Sequence, residues 1–241
     1  MKIAIVGAAG RMGRKLVELA AGAGLEVVAK IDVAEGYDRA WPAGTEGVVD
    51  FSYHACVPGF VEKAAAQGIP YVIGTTGLTA DEQKAVDAAA KKIAVVQSGN
   101  YSLGVNLLLE LVQKAATVLG PDYDVEVVEM HHRHKKDAPS GTALMLAKAA
   151  AAGRGAPDDF VYGRRGDVGE RPVGEIAIHA LRGGSVVGDH TVMFAGDLER
   201  VEITHKAQDR AAFAAGALKA LVWAKGRASG IYTMRHVLGF A

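Results

Sequence analysis

Through the first hundred residues, short runs rich in Val and Ile alternate with stretches that repeat apolar positions at helical spacing. The runs predict strands at 3–6, 26–32, 47–51, 71–73 and 93–97, and the longer periods predict helices at 11–21, 57–67 and 81–91. Thr79, with Glu82 three residues on, has the layout of a capping box and marks the start of the third helix. Alternation of this kind predicts parallel strands with helices on both faces. After residue 100 the pattern changes. Helical spacing over 105–119 predicts a helix that could link two domains. Val125 and Val127 then alternate with Asp124 and Glu126, which predicts a half-buried strand over 123–131. A helix is expected from 142 to about 152, and a surface loop over 153–171, where glycines mix with Arg154, Arg164, Arg165, Arg171, Asp158, Asp159 and Asp167. Strands at 176–181, 191–195 and 200–205 follow closely enough for antiparallel pairing, then a helix at 210–225 and a short tail. The fold class is therefore α/β: a Rossmann-like first domain followed by an α+β second domain. The pattern does not assign the last helix to either.

Composition narrows the function. In 241 residues, Lys+Arg and Asp+Glu are equal at 27 each, so no bulk field recruits nucleic acid or membrane. A hydrophobic share of 50% with 22% charged is ordinary for a soluble globular chain. The single cysteine, Cys56, rules out an internal disulfide framework and a cysteine-based zinc cage, and reads as a small buried hydrophobe. No apolar run approaches the ~18 residues of a membrane span. Met1-Lys2 leads straight into Ile3-Ala4-Ile5-Val6 without a signal-peptide layout, so a cytoplasmic location is expected.

The first chemical signal is Gly7-Ala8-Ala9-Gly10-Arg11-Met12-Gly13, between the first strand and the first helix. Glycines there let backbone approach a pyrophosphate, whose charge meets free N–H groups at the helix start. Asp32 ends the second strand, 19 residues after Gly13, where a carboxylate can accept from ribose hydroxyls; that favours NADH, although Lys30, Arg11, Arg14 and Lys15 nearby could meet a 2′-phosphate. Gly74-Thr75-Thr76-Gly77 follows another strand at the edge where open α/β sheets bind ligands; it reads equally as a structural turn or a cofactor contact.

The densest polar constellation is Glu129-Met130-His131-His132-Arg133-His134-Lys135-Lys136-Asp137-Ala138-Pro139-Ser140-Gly141-Thr142-Ala143. So much like charge in one loop makes sense if an anion neutralises it. Ser140 can cap the following helix, whose first N–H groups would face a carboxylate, with Gly141 leaving room for a ligand. Basic side chains on one side and a helix N-terminus on the other describe a dicarboxylate clamp. A zinc site on His131, His132 or His134 lacks Cys or HExxH spacing, nucleic-acid contact lacks an aromatic platform, and a solvated loop leaves the charge unexplained.

The glycine turn, the GTTG loop, Gly99-Asn100-Tyr101-Ser102-Leu103-Gly104-Val105-Asn106, the histidine-rich block, Ile203-Thr204-His205-Lys206-Ala207 and Gly230-Ile231-Tyr232 occur together and in order. Over essentially the whole chain they resemble the dihydrodipicolinate reductase family, the histidine-rich block most specifically. The resemblance implies reduction of 4-hydroxy-tetrahydrodipicolinate, or of dihydrodipicolinate derived from it, to tetrahydrodipicolinate with NADH or NADPH in diaminopimelate and lysine biosynthesis. It implies a dinucleotide-binding domain over 1–102 rejoined by about 212–241, and a substrate-binding domain with a mixed sheet over 103–211 that assembles a homotetramer. By position, His131 resembles the catalytic acid/base and Lys135 the proton-donating lysine. His132, Lys135, Ser140, Gly141 and Thr142 resemble binders of the substrate carboxylates. Gly7, Gly10, Arg11, Met12, Asp32, Gly74, Thr76, Ser98 and Tyr101 match cofactor-binding positions, and no metal is implied. Two departures stand out: Val33 follows Asp32 where some members carry a basic residue for a 2′-phosphate, and the stretch from Asp32 to Gly47 is short. A dehydrogenase of another amino or imino acid and a non-enzymatic NAD(H) sensor are the rival readings; a sensor would not need a proton donor beside an anion site.

Overall fold

The computed structural model describes residues 1–32 and 41–241, so Val33 and most of the shortened stretch lie outside the described residues. The chain forms two compact units, Met1–Leu103 with Arg210–Ala241, and Gly104–Asp209.

The first unit is built on a parallel sheet of β1 (Lys2–Val6), β2 (Glu26–Ile31), β3 (Gly47–Asp50), β4 (Tyr71–Ile73), β5 (Ala94–Gln97) and β11 (Gly230–Tyr232), in the order β11-β5-β4-β3-β1-β2. Side chains alternate across a strand, so each strand feeds two cores. Ile3, Ile5 and Val49 pack with Leu16 of α1 (Arg11–Ala20) and with Ala214, Leu218 and Leu221 of α6 (Ala211–Ala224). Ala4, Val6 and Val48 pack with Phe60 and Val61 of α2 (Val57–Ala66) and Val86 of α3 (Ala80–Ala90). Both halves of the Thr79–Glu82 capping box form. The tail holds more structure than its sequence announced. Ile231 pairs with Val95 in β11, and α7 (Met234–Leu238) buries Met234 and Val237 against the α6 side of the sheet.

The second unit is a five-stranded sheet in the order β10-β9-β6-β8-β7, packed on one face by α4 (Leu103–Leu119) and α5 (Gly141–Arg154). Here β6 is Asp124–His131, β7 Val161–Tyr162, β8 Ile176–Arg182, β9 Gly188–Ala195 and β10 Arg200–Ala207. Antiparallel pairing holds for β9 with β10 and with β6, but β8 runs parallel to β6 and β7. The reason is that β6 sits between β8 and β9, so residues 183–187 must cross the end of β6 instead of turning a hairpin. That crossing is hydrogen-bonded: Gly183 N–H donates to the His131 carbonyl, His132 N–H to Val186 and Arg133 N–H to Gly184. The stretch expected to be loop contains β7 and is tied down by Arg171, which donates to Glu126 and Asp124 of β6 at 3.0 and 2.6 Å.

One expectation needs correcting. Leu103–Asp122 is long and apolar enough, by length and composition, to cross a membrane. Glu110 and Lys114 interrupt the run, which is why no such stretch stood out in the sequence. Leu108, Val112 and Ala116 of this helix are buried in the core of the second unit.

Candidate active site

In a parallel sheet every strand ends at the same edge. The loops after β1, β2, β4 and β5 therefore bring Gly7, Gly10, Arg11, Met12, Asp32, Gly74, Thr76, Ser98 and Tyr101 to one side of the first unit. Gly7 has φ +76°, and a Cβ there would strike the Phe51 carbonyl; a Cβ at Gly13 would strike the Gly7 carbonyl. The turn and α1 thus approach more closely than any side chain permits. Gly10 caps α1 without a side-chain acceptor, so first-turn N–H groups point out of the helix with no side-chain cap. Asp32 Oδ2 accepts the Ala9 N–H at 2.7 Å, which fixes the carboxylate just after β2 beside the turn. Arg11 is exposed, and Met12 packs against the core.

The loops after β3 and β4 are organised by a residue the sequence reading passed over. Asp50 is fully buried at the end of β3. Its Oδ1 accepts Ser52 Oγ at 2.6 Å, Ser52 N–H at 2.8 Å and Thr75 Oγ1 at 3.0 Å, and its Oδ2 accepts the Tyr71 hydroxyl at 2.5 Å. Burial raises the carboxyl's pKa above the usual range even against these bonds. A Cβ at Gly74 would collide with the Phe51 ring, so that glycine is demanded by packing, while Thr76 beside it is exposed. Tyr101 is buried, with its hydroxyl donating to the carbonyls of Ile73 at 2.7 Å and Val96 at 2.9 Å. Its ring is committed to the sheet. Ser98 Oγ donates to the Asn100 carbonyl at 2.7 Å and shapes the same loop.

In the second unit, β6 delivers the histidine-rich block and α5 begins beside it. Parity along β6 puts Val125, Val127, Glu129 and His131 on the core face. Glu129, with 0% side-chain exposure, gathers four donors. Arg182 of β8 gives Nη1 to Oε2 at 2.8 Å and Nη2 to Oε1 at 2.9 Å; His131 Nδ1 meets Oε2 at 2.5 Å; Ser140 N–H reaches Oε1 at 3.0 Å. Burial pushes this carboxyl up, but the Arg182 fork, His131 and the Ser140 amide outweigh it and hold the group below the usual carboxylate range. Ser140 caps α5, its Oγ accepting from Ala143 N–H at 3.1 Å while facing His190 Nε2 at 3.0 Å. His190 is 4% exposed, and its ring meets that of His131 edge-on at 5.1 Å between centroids. Burial and the neighbouring His131 lower its pKa to about 4. Lys135 Nζ is held by both oxygens of Asp137 at 2.9 and 2.8 Å, and Arg182 Nη2 reaches the Asp137 carbonyl at 2.7 Å. Gly141 and Thr142 form the first turn of α5, and His132 is pinned through its backbone to Val186.

Glu129, Arg182 and His190 were missing from the expected site. Two of them were within reach of the pattern: Glu129 shares parity with Val125 and Val127, and His190 with Val192 and Phe194, so both fall on the apolar face where a polar group needs partners. Arg182 is located only by the β6–β8 pairing.

Two family models match this chain: dihydrodipicolinate reductase, N-terminus, over residues 1–101, and dihydrodipicolinate reductase, C-terminus, over residues 104–238. The chain belongs to the dihydrodipicolinate reductase family. Within it, the 4-hydroxy-tetrahydrodipicolinate reductase of Anaeromyxobacter dehalogenans strain 2CP-C is 46% identical over 99% of this chain and 97% of its own. The enzyme of that name from Methylocella silvestris is 47% identical over the same shares. Among solved structures, dipicolinate-bound dihydrodipicolinate reductase from Paenisporosarcina sp. TG-14 superposes with a TM-score of 0.77, covering 97% of each chain at 22% identity, a likeness of fold. As a member of this family, the chain has a glycine turn that fits a dinucleotide: Gly7 and Gly13 pack the turn tightly on β3 and α1, and the α1 start has no side-chain cap.

Proposed function

We propose that the chain reduces 4-hydroxy-tetrahydrodipicolinate, or dihydrodipicolinate formed from it, to tetrahydrodipicolinate in diaminopimelate and lysine biosynthesis, with NAD(P)H as reductant. The substrate class rests on one observation: a capped helix N-terminus and a basic loop converge at the end of β6 on a buried, hydrogen-bonded histidine. In this reading the first unit, residues 1–102 with about 212–241, binds the dinucleotide through Gly7, Gly10, Arg11, Met12, Asp32, Gly74, Thr76, Ser98 and Tyr101. The second, residues 103–211, binds the dicarboxylate.

Bound NAD(P)H would supply a hydride to the electron-poor ring carbon conjugated with the C=N bond, so the protein must supply the matching proton. Lys135 is the proton donor and His131 the acid/base, each having to come within hydrogen-bond reach of the atom it serves. One substrate carboxylate takes the N–H groups of Gly141 and Thr142 and the Ser140 hydroxyl at the start of α5. His132 and Lys135 hold the charge from the loop side. Since Asp137 already grips the Lys135 ammonium, a substrate carboxylate competes with an internal one, which favours ligands that bring two.

NADH is the favoured cofactor. The Asp32 carboxylate, fixed by the Ala9 N–H, would repel a 2′-phosphate and accept from a ribose hydroxyl. Fluorescence titration is expected to give NADH binding at least as tight as NADPH, and Asp32→Asn is expected to narrow or invert the difference; a strong wild-type preference for NADPH would refute the assignment. The reaction is placed in the cytoplasm, and the assembly is read as a homotetramer formed through the second-unit sheet. The direct test of function is loss of NADH absorbance when the protein meets freshly generated pathway substrate. Absence of turnover with both cofactors would sink the reading.

A further inference from the structure

Glu129 is a fully buried acid in direct contact with the histidine assigned to proton transfer. Three of its four hydrogen bonds come from fixed donors, two from Arg182 and one from the Ser140 amide, which with the lowered pKa leave it ionised; the fourth is to Nδ1 of His131. An ionised carboxylate can only accept. The hydrogen shared at 2.5 Å between Oε2 and the imidazole therefore sits on Nδ1 of His131. A neutral imidazole protonated at Nδ1 presents its lone pair at Nε2. That nitrogen has no hydrogen-bond partner among the described residues, and it lies 2.9 Å from where a Cβ at position 188 would stand, a position occupied by Gly188. One nitrogen is anchored by the acid, and the other is left approachable by a glycine.

We infer that Glu129 is a positioning residue that fixes His131 as the Nδ1–H tautomer, so that Nε2 is the nitrogen that exchanges protons with substrate. Arg182 is its counterweight: it grips both oxygens of Glu129 and so keeps the acid from rotating away from the ring. The same carboxylate holds the Ser140 N–H, which sets the imidazole in register with the start of α5. Arg182 extends the frame to the Asp137 carbonyl, beside the Lys135 ion pair. When Nε2 takes up a proton, Glu129 lies against the charge that forms, as an acid behind a catalytic histidine does in other proton-transfer sites. A carboxylate that served only to neutralise Arg182 would leave the tautomer of His131 unset, which separates the two roles.

This rests on the assignment of His131 to the chemistry, and the test keeps the two apart because the tautomer is read without turnover. Long-range proton–nitrogen correlation spectra of the full-length protein labelled with ¹⁵N-histidine are expected to show the neutral form of His131 as Nδ1–H. An Nε2–H tautomer in the wild-type protein overturns the inference, and this measurement needs no variant to fold. Glu129→Gln presents both a donor and an acceptor to Nδ1. It is expected to mix the tautomers, to lower kcat by about 100-fold or more and to move the acid limb of the kcat/KM profile, with NADH affinity unchanged. Retention of the Nδ1–H form and of wild-type kcat in that variant overturns the inference too. Gly188→Ala obstructs Nε2 without touching Glu129 and is expected to lower kcat while the tautomer stays as in wild type; an unchanged kcat there removes Nε2 from the reaction. Full turnover by His131→Ala is a different failure, that of the underlying assignment.

Discussion

At the scale of single residues, the proposed roles separate groups that exchange protons from groups that hold charge. Lys135→Ala and His131→Ala are expected to fold and bind NADH normally yet lose kcat by about 10²–10⁴, the usual cost of a missing proton donor. Lys135→Ala should raise KM as well, since a charge-assisted contact worth roughly 1.5–3 kcal/mol goes with it, whereas His131→Ala should show chiefly the kcat defect. Steady-state kinetics with intact cofactor titration checks both; near-normal turnover in the two variants would clear this loop of the chemistry. His190 makes a separate prediction about acid. Burial, with the charges of His131, His205 and Lys135 outweighing Glu129, depresses its pKa from 6.5 to about 4. The unfolded chain therefore takes up a proton that the folded chain refuses, and stability falls as pH drops below 6.5. The loss between pH 6.5 and about 5 should be about 1.5 kcal/mol, in a window above that where Glu129, held below the usual carboxylate range, is titrated. Denaturant melts should show this slope in the wild type and lose it in His190→Gln. None of this was plain in the sequence, although strand parity carried the hint. Glu129 follows Glu126 and precedes three histidines, so it blends into a polar stretch until Val125 and Val127 are seen to share its face.

At the scale of elements, what was legible and what was not divide along the range of the interactions. The β1–turn–α1 unit, the Thr79–Glu82 box and the Ser140 cap are local, and residues within four positions of one another settle them. The parallel placement of β8 and the recruitment of β11 beside β5 are pairings between distant segments that no local pattern encodes. Gly216 belongs to the second kind. Inside α6 it reads as a weak point in a helix, yet a Cβ there would run into the Tyr101 carbonyl. The helix lies directly on the loop that holds Ser98 and Tyr101, and only a residue without a side chain allows it. Gly216→Ala, favourable by helix propensity alone, is therefore expected to destabilise by about 1–3 kcal/mol and to weaken NADH binding. A thermal melt and a cofactor titration test the pair of effects, and a rise in Tm would show that the contact yields.

At the scale of the whole molecule, the second-unit sheet has one face in the core and alternate residues on the other. His179, Thr191, Met193 and Thr204 are incompletely buried in a single chain, and Leu181 is exposed. If this face assembles the homotetramer, Met193→Arg, which places a charge opposite Glu126 and Glu202 in register, should lower the mass seen by light scattering at micromolar concentration. A wild-type monomer under those conditions would contradict the assembly. A last consequence follows from α6 and β11 coming after the second unit in the chain while belonging to the first. On the ribosome, β5 emerges early and waits with one edge unpaired until the whole of 104–209 has been made. The inserted unit is contiguous and can mature as soon as it clears the exit tunnel, whereas the cofactor unit must hold its apolar α6 face uncovered until later codons are read. Released chains that end at residue 209 should then carry a folded second unit and a first unit dependent on chaperones.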